Sequence, residues 1–250
     1  MAADSPLAQP LALPCGASLP NRILKSAMTE GLADPHDHAT PRLARLYERW
    51  SRGGTGLLIT GNVMVDRRHL ERAGNVVIED ASGIEALRAW ARAGTVAGNG
   101  LWMQLSHPGR QSPKTVNKAP VSASDVQLRL AGQFARPRPL SGDEIKDIVA
   151  RFARAAAIAR EAGFTGVQVH GAHGYLVSQF LSPALNLRRD EYGGPLENRA
   201  RLLLEILAAV RAAVGADFAV SVKLNTSDFR RGGYRFQDCL RVVAMLNDAG

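Results

Sequence analysis

The chain has 250 residues, 46% of them hydrophobic, enough to bury the core of one α/β domain. Its 31 Lys and Arg against 23 Asp and Glu give a net charge of +8. The basic residues are spread along helical patterns (Arg42, Arg45, Arg49; Arg151, Arg154, Arg160) rather than gathered into a stripe, which argues against nucleic acid as a partner.

Cys15 and Cys239 lie far apart and outside any CxxC, so neither a disulfide framework nor a thiol-redox motif is expected. No window approaches the roughly 18 uninterrupted apolar residues of a membrane span. The first residues lack a basic start and are broken by Pro6, Pro10 and Pro14, which argues against a signal peptide and makes a reducing cytoplasm the expected setting.

In chain order, Ile23 to Met28 reads as a first buried strand, and Thr40-Pro41 opens a helix with Leu43, Leu46, Tyr47 and Trp50 on one face, ended by Gly53 and Gly54. Leu57 to Val65 is a second strand. Ser82-x-x-Glu85 has the spacing of a capping box ahead of a helix with Ile84, Leu87 and Ala91 inward. Leu101 to Ser106 is the third strand. A second capping box, Ser141-x-x-Glu144, starts a long helix carrying Ile145, Ile148, Val149, Phe152 and Ala156, closed by Gly163. A fourth strand begins at Gly166, a helix with Leu203, Ile206, Leu207 and Val210 follows Gly194-Pro195, Phe218 to Leu224 is the fifth strand, and Phe236 to Ala249 is a last helix with Leu240, Val243 and Leu246 inward.

Helix-to-strand connections span only a few residues, whereas strand-to-helix connections are long: Asp66 to Ala81, His107 to Leu140 and Gly171 to Gly194. Long loops in a compact domain are usually functional, and loops that all follow strands collect at the C-terminal edge of a parallel sheet, where (β/α)-barrel enzymes keep their sites. On that edge the fourth strand delivers His170, His173 and Tyr175 within six residues. Two imidazoles and a phenol can be structural, can hold a metal or can do proton chemistry; a zinc site needs a further ligand at suitable spacing, and none is evident, so no metal is expected.

HGAHGYLVSQFLSP followed by NLRRDEYGGPLENRARLLLEI, together with NRILKSAMT, QLSHPGR and VSVKLNTSDF, resembles the old yellow enzyme family of FMN-dependent NAD(P)H:flavin oxidoreductases and ene-reductases, in the same order and over nearly the whole chain. The resemblance implies a (β/α)8 TIM barrel of the FMN-linked oxidoreductase type that takes hydride from NADH or NADPH and reduces a small-molecule activated alkene, one conjugated to a carbonyl or nitro group. It places Ala27, Met28 and Thr29 beside the flavin, with the Thr29 hydroxyl on the flavin's C4 oxygen, and Asn62 at a backbone contact. Gln104 matches the glutamine that offers a donor and an acceptor to the pyrimidine edge, and Lys223 a cation near the site of developing negative charge. His170 and His173 match the pair that hydrogen-bonds the substrate oxygen, with His170 also against the flavin, and Tyr175 the proton donor, a phenol whose reference pKa of about 10 keeps it protonated at neutral pH.

Ala27 stands where many relatives have proline, Glu30 follows Thr29, and Lys223 replaces the commoner arginine, a point charge in place of a fork. Five strand-like runs are legible where a barrel needs eight, so the expectation is a single barrel domain over residues 1–250, truncated after about five strands and without the loops that commonly build the phosphate site. From this follow two expectations: weak FMN binding, and association as a homo-oligomer or with a complementing C-terminal polypeptide through open sheet edges. The alternative function is a non-catalytic truncated barrel or subunit that needs such a partner.

Overall fold

The computed structural model describes residues 5–249. After a 3-10 turn at Pro6–Ala8 come two short strands, β1 (Leu11–Ala12) and β2 (Ser18–Leu19), then β3 (Leu24–Lys25), α1 (Pro41–Ser51), β4 (Leu57–Met64), β5 (Val76–Val77), α2 (Ile84–Gly94) and β6 (Gly100–Ser106). A second 3-10 turn, Gly109–Gln111, precedes β7 (Val121–Ser122), β8 (Arg138–Pro139), α3 (Gly142–Glu161), β9 (Gly166–Gly171), α4 (Leu176–Leu181), α5 (Leu196–Val214), β10 (Ala219–Leu224) and α6 (Phe236–Asp248).

The main sheet runs β10-β9-β6-β4-β3, with β5 added beside the end of β4, and every pair is parallel. Strands adjacent in the chain are adjacent in the sheet, each joined to the next through a helix, which is the winding of a (β/α)-barrel. Among the described residues no helix is long and apolar enough to cross a membrane.

Strand parity separates two faces. Val167 and Val169 of β9, Leu101, Met103 and Leu105 of β6 and Leu58 and Val63 of β4 join a large core with Tyr47, Trp90, Phe152 and Ile206 from the helices. Burying each such side chain is worth roughly 1.5–3 kcal/mol, so the helix layer supplies most of the fold's driving force. On the opposite face Leu57, Ile59, Trp102 and Ala219 form a second cluster with Leu19, from β2, and the partly buried Leu11 and Ala27 beside it. The β1–β2 hairpin thus covers the N-terminal end of this inner face. Gly166 is required there: a Cβ would lie 2.6 Å from the Trp102 ring.

The inner face of β4 keeps its parity only because of a bulge. Ile59 pairs with Trp102 and Asn62 with Gln104, three residues on β4 against two on β6. The extra residue turns Asn62 inward. Thr60 and Gly61 make the bulge, with Thr60 Oγ1 accepting the Gln104 amide at 2.9 Å and donating to the Gly61 carbonyl at 2.8 Å. Gly61 also admits the neighbouring chain, since a Cβ would meet the Met28 carbonyl at 2.4 Å and Thr29 Cα at 2.7 Å.

Three sequence expectations are corrected. The first strand is only Leu24–Lys25, and Leu24 is 48% exposed: it pairs with β4 alone and has no neighbour on its other side among the described residues. Ser82 does not cap α2; Gly83 is the N-cap without a side-chain bond, and Glu85 pairs with Arg88 instead. Helix α6 buries Cys239 and Val242, while Leu240 and Val243 face outward at 54% and 50% exposure, and Leu246 is partly buried. The Ser141 capping box, by contrast, forms with both of its bonds.

Gly61→Ala should destabilise the fold by about 1–3 kcal/mol, because two of the obstructing atoms, the Met28 carbonyl and Thr29 Cα, are backbone and cannot swing away. Urea denaturation checks this, and Thr60→Ser, which keeps the hydroxyl, should cost less.

Candidate active site

At the C-terminal ends of the strands the inner face turns polar. Asn62, Gln104, Gln168 and Ser221 lie at one level across four strands, and His170 and Lys223 pair at the next. Gln104 Nε2 donates to Gln168 Oε1 at 2.6 Å, and Gln168 Nε2 to Ser221 Oγ at 3.3 Å. The run fixes the Gln104 amide and leaves its Oε1 without a donor among the described residues.

A cavity of about 130 Å³ above this layer is lined by Ala27, Met28, Thr29, Asn62, Glu71, Gln104, His170, His173, Tyr175 and Lys223. All nine candidate residues named from the sequence therefore meet in one place, although they come from five strands and their following loops. The tenth, Glu71, was not foreseen. Its Oε2 accepts the Thr29 hydroxyl at 2.9 Å and Asn62 Nδ2 at 2.7 Å. The Thr29 hydroxyl, expected on a flavin oxygen, is given to Glu71 in this arrangement.

His170 is 3% exposed, and burial, with repulsion from His173 and Lys223, pulls its pKa down to about 3. Its Nδ1 accepts the Ala172 amide at 3.3 Å, which puts the proton of the neutral ring on Nε2 as a donor. The His173 ring stands edge-on at 5.1 Å between centroids and the Tyr175 ring at 5.0 Å. His173 is also pulled below its ordinary value by burial and Lys223. Its backbone is left-handed, φ 61°, a strained state for a residue with a Cβ. Asn225 Oδ1 accepts the His173 amide at 2.9 Å and Gln111 Nε2 donates to its carbonyl at 2.7 Å, and these bonds hold the turn.

Burial and the Glu71 charge push the Tyr175 phenol far above its ordinary range, so it keeps its proton. Burial lowers Lys223. The cavity thus gathers two neutral imidazoles, a protonated phenol, an ammonium and a fixed carboxamide. Such a set can bind and polarise an oxygen that is gaining negative charge and deliver a proton beside it.

The residues also fit a flavin ring. Asn62 Oδ1 is buried without a partner, Gln104 Oε1 is free to accept, and the Lys223 ammonium makes no ion pair among the described residues. An acceptor pair with a cation suits a planar heterocycle carrying N–H donors and carbonyl oxygens.

Histidine also clusters away from this site. Asp66, His69 and His107 are buried with potential ligand atoms within 4.8 Å of one another, a grouping unforeseen from the sequence. His107 Nδ1 accepts the Gly109 amide at 3.0 Å, and Asn117 Nδ2 lies 2.7 Å from His69 Nδ1 with its own Oδ1 taken by the Ala119 amide. Both rings therefore carry their proton on Nε2, and Arg68 holds Asp66 through both carboxylate oxygens. Burial lowers the pKa of both rings, and His107 Nε2 is buried without a partner.

A family model described as "NADH:flavin oxidoreductase / NADH oxidase family" matches residues 6–250. An NADH-dependent flavin oxidoreductase of Aspergillus parasiticus is 42% identical over 92% of this chain and 55% of its own. Another, from a Neonectria species, is 38% identical over 99% of this chain and 35% of its own. The chain thus spans about a third to about half of the length of these relatives. The solved old yellow enzyme homologue from Zymomonas mobilis superposes with a TM-score of 0.88 at 29% identity, covering 98% of this chain and 71% of that one.

Acid should weaken the fold through His170. The unfolded imidazole binds a proton near its reference pKa of about 6.5, while the folded one resists until about 3, so stability is complete above that reference value and is lost as pH falls between the two. Melting midpoints followed from pH 7 to pH 4 should fall less steeply in His170→Asn than in the parent chain.

Proposed function

Since the chain belongs to the NADH:flavin oxidoreductase / NADH oxidase family, we propose that it carries ring-binding and substrate-binding groups of an FMN-dependent oxidoreductase site. In this reading NADH or NADPH is the reductant and a small alkene conjugated to a carbonyl or nitro group is the oxidant. Bound FMN would supply the two-electron hydride transfer between them. The residues to hold its ring are Ala27, Met28 and Thr29 along one edge, Asn62 and Gln104 through their free acceptors, Lys223 as a cation beside developing negative charge, and His170.

His170 would donate Nε2–H to the substrate oxygen, since its Nδ1 is already an acceptor. His173 supplies a second donor, and the two together stabilise charge that builds on that oxygen as the alkene is reduced. Tyr175 gives its phenolic proton to the carbon next to the activating group; the phenol is reprotonated from solvent to close the cycle. The Glu71 charge, together with burial, keeps the proton on the phenol at rest. Below the cavity, Trp102 and the β1–β2 hairpin close the N-terminal end of the inner face with apolar side chains.

The observation that carries this reading is that one cavity collects the carboxamide, the ammonium, both imidazoles and the phenol, with the aromatic groups held in their neutral forms. The expected result is that Tyr175→Phe slows alkene reduction by about 10²-fold or more, the usual worth of a general acid, and leaves flavin reduction by the nicotinamide nearly unchanged. Stopped-flow absorbance of the two half-reactions in FMN-loaded protein measures each separately. Equal slowing of both would take the donor role away from Tyr175.

A further inference from the structure

A second and larger cavity, about 630 Å³, is lined by Arg110, Asp125, Val126, Gln127, Leu128, Arg129, Arg136 and Arg230. Four guanidiniums therefore face one carboxylate. Asp125 is already paired with Arg136 at 2.5 Å. Arg129 and Arg230 are exposed and, among the described residues, neither makes an ion pair or a side-chain hydrogen bond. Arg110 is 8% exposed; its Nη1 donates to the Val126 carbonyl at 3.0 Å, while its Nε is buried without a partner. Burial and the like charge of Arg230 push the Arg110 guanidinium below its ordinary value, with the Asp228 carboxylate opposing them only in part.

Leaving a buried guanidinium N–H unpaired beside unneutralised positive charge is costly, and a bound anion removes both costs at once. Planar arginine forks match the tetrahedral oxygens of phosphate, and several converging forks in a cavity of this size suit a diphosphate better than a single carboxylate. The cavity is tied to the candidate active site through the chain. Arg110 precedes Gln111, whose side chain holds the His173 carbonyl, and the Arg110 amide donates to Gln179 Oε1, whose Nε2 donates to the Gly174 carbonyl at 2.7 Å.

We propose that the Arg110, Arg129, Arg136 and Arg230 cavity is a diphosphate subsite for a ligand whose reactive end lies at His170, His173 and Tyr175. The diphosphate can belong to the reduced dinucleotide or to a phosphorylated carrier on the alkene. The choice between these two sources rests on the oxidoreductase reading above; binding of the anion does not.

The test begins with calorimetric titration of inorganic pyrophosphate into the purified chain, with and without FMN. Binding that weakens with added salt and falls about tenfold or more in an Arg129→Gln, Arg230→Gln double variant is expected, each lost charge-assisted contact being worth about that much. Arg230→Lys should retain part of the affinity, and Arg52→Gln, on the far helix surface, should retain all of it. Both replaced arginines are exposed, and circular dichroism confirms that the variants are folded. In FMN-loaded protein, a raised KM for NADH in the double variant assigns the subsite to the reductant; an unchanged NADH KM with a raised KM for a diphosphate-bearing alkene assigns it to the substrate. Failure of pyrophosphate to bind the parent chain at millimolar concentration, or equal binding by the double variant, overturns the proposal. Loss of flavin chemistry with pyrophosphate binding intact would instead count against the oxidoreductase reading alone.

Discussion

The pleat of five parallel strands governs this molecule. Because successive side chains point to opposite faces, each strand must send its aliphatic residues to the helices and keep whatever remains for the inner face. In β9 this gives Val167 and Val169 outward and Gly166, Gln168 and His170 inward; in β6, Met103 outward and Trp102 and Gln104 inward. The inner residues then sort by height. Large apolar groups lie at the N-terminal end under the hairpin, amides in the middle and ionisable groups at the top. In β4 the parity would fail without the Thr60-Gly61 bulge, and Asn62 would be turned towards the helices rather than the cavity.

The same arrangement sets the electrostatics. A polar cavity above a dry apolar floor removes water from His170 and Tyr175 on the protein side, so both are held in the uncharged form by burial more than by any single neighbour. Lys223 is the positive charge in that cavity and Glu71 the negative one. Glu71 bonds the loop after β4 to Thr29, in the segment after β3, and to Asn62, and its charge acts on the phenol in the loop after β9. A change in what occupies the cavity would therefore be felt by three separate stretches of chain.

Much of this was legible in the sequence, and what was missed has physical causes. The buried strands announced themselves by aliphatic runs bounded by glycine, and the long helices by apolar spacing and by the Ser141-Glu144 box. The first strand was overread because an apolar hexapeptide does not reveal how many partners it has, and β3 pairs on one side only. Helix α6 carries two apolar stripes, Cys239 with Val242 and Leu240 with Val243, and periodicity alone does not choose between them. His170, His173 and Tyr175 stand out from their place at a strand end, the other six site residues only through resemblance, and the convergence of all nine follows from sheet register. Glu71 was invisible because the stretch from Asp66 to Ala81 has no periodicity. It is placed by tertiary contacts: β5 against β4, and Asn75 bridging the Arg72 amide and the Asn62 carbonyl. The arginine cavity was hidden for a similar reason, since its members are scattered from residue 110 to residue 230.

The central claim is that the polar inner layer at the strand ends is where a flavin ring binds. Backbone amide shifts recorded by NMR while FMN is titrated into the purified chain test it directly, because they report even weak binding residue by residue. The account predicts that the amides of Thr29, Asn62, Gln104, His170 and Lys223 move together along one saturable curve, and that Gln104→Leu abolishes the movement without unfolding the protein. Binding that shifts other amides while these five stay still, or no shift at any of them at saturating FMN, would contradict it.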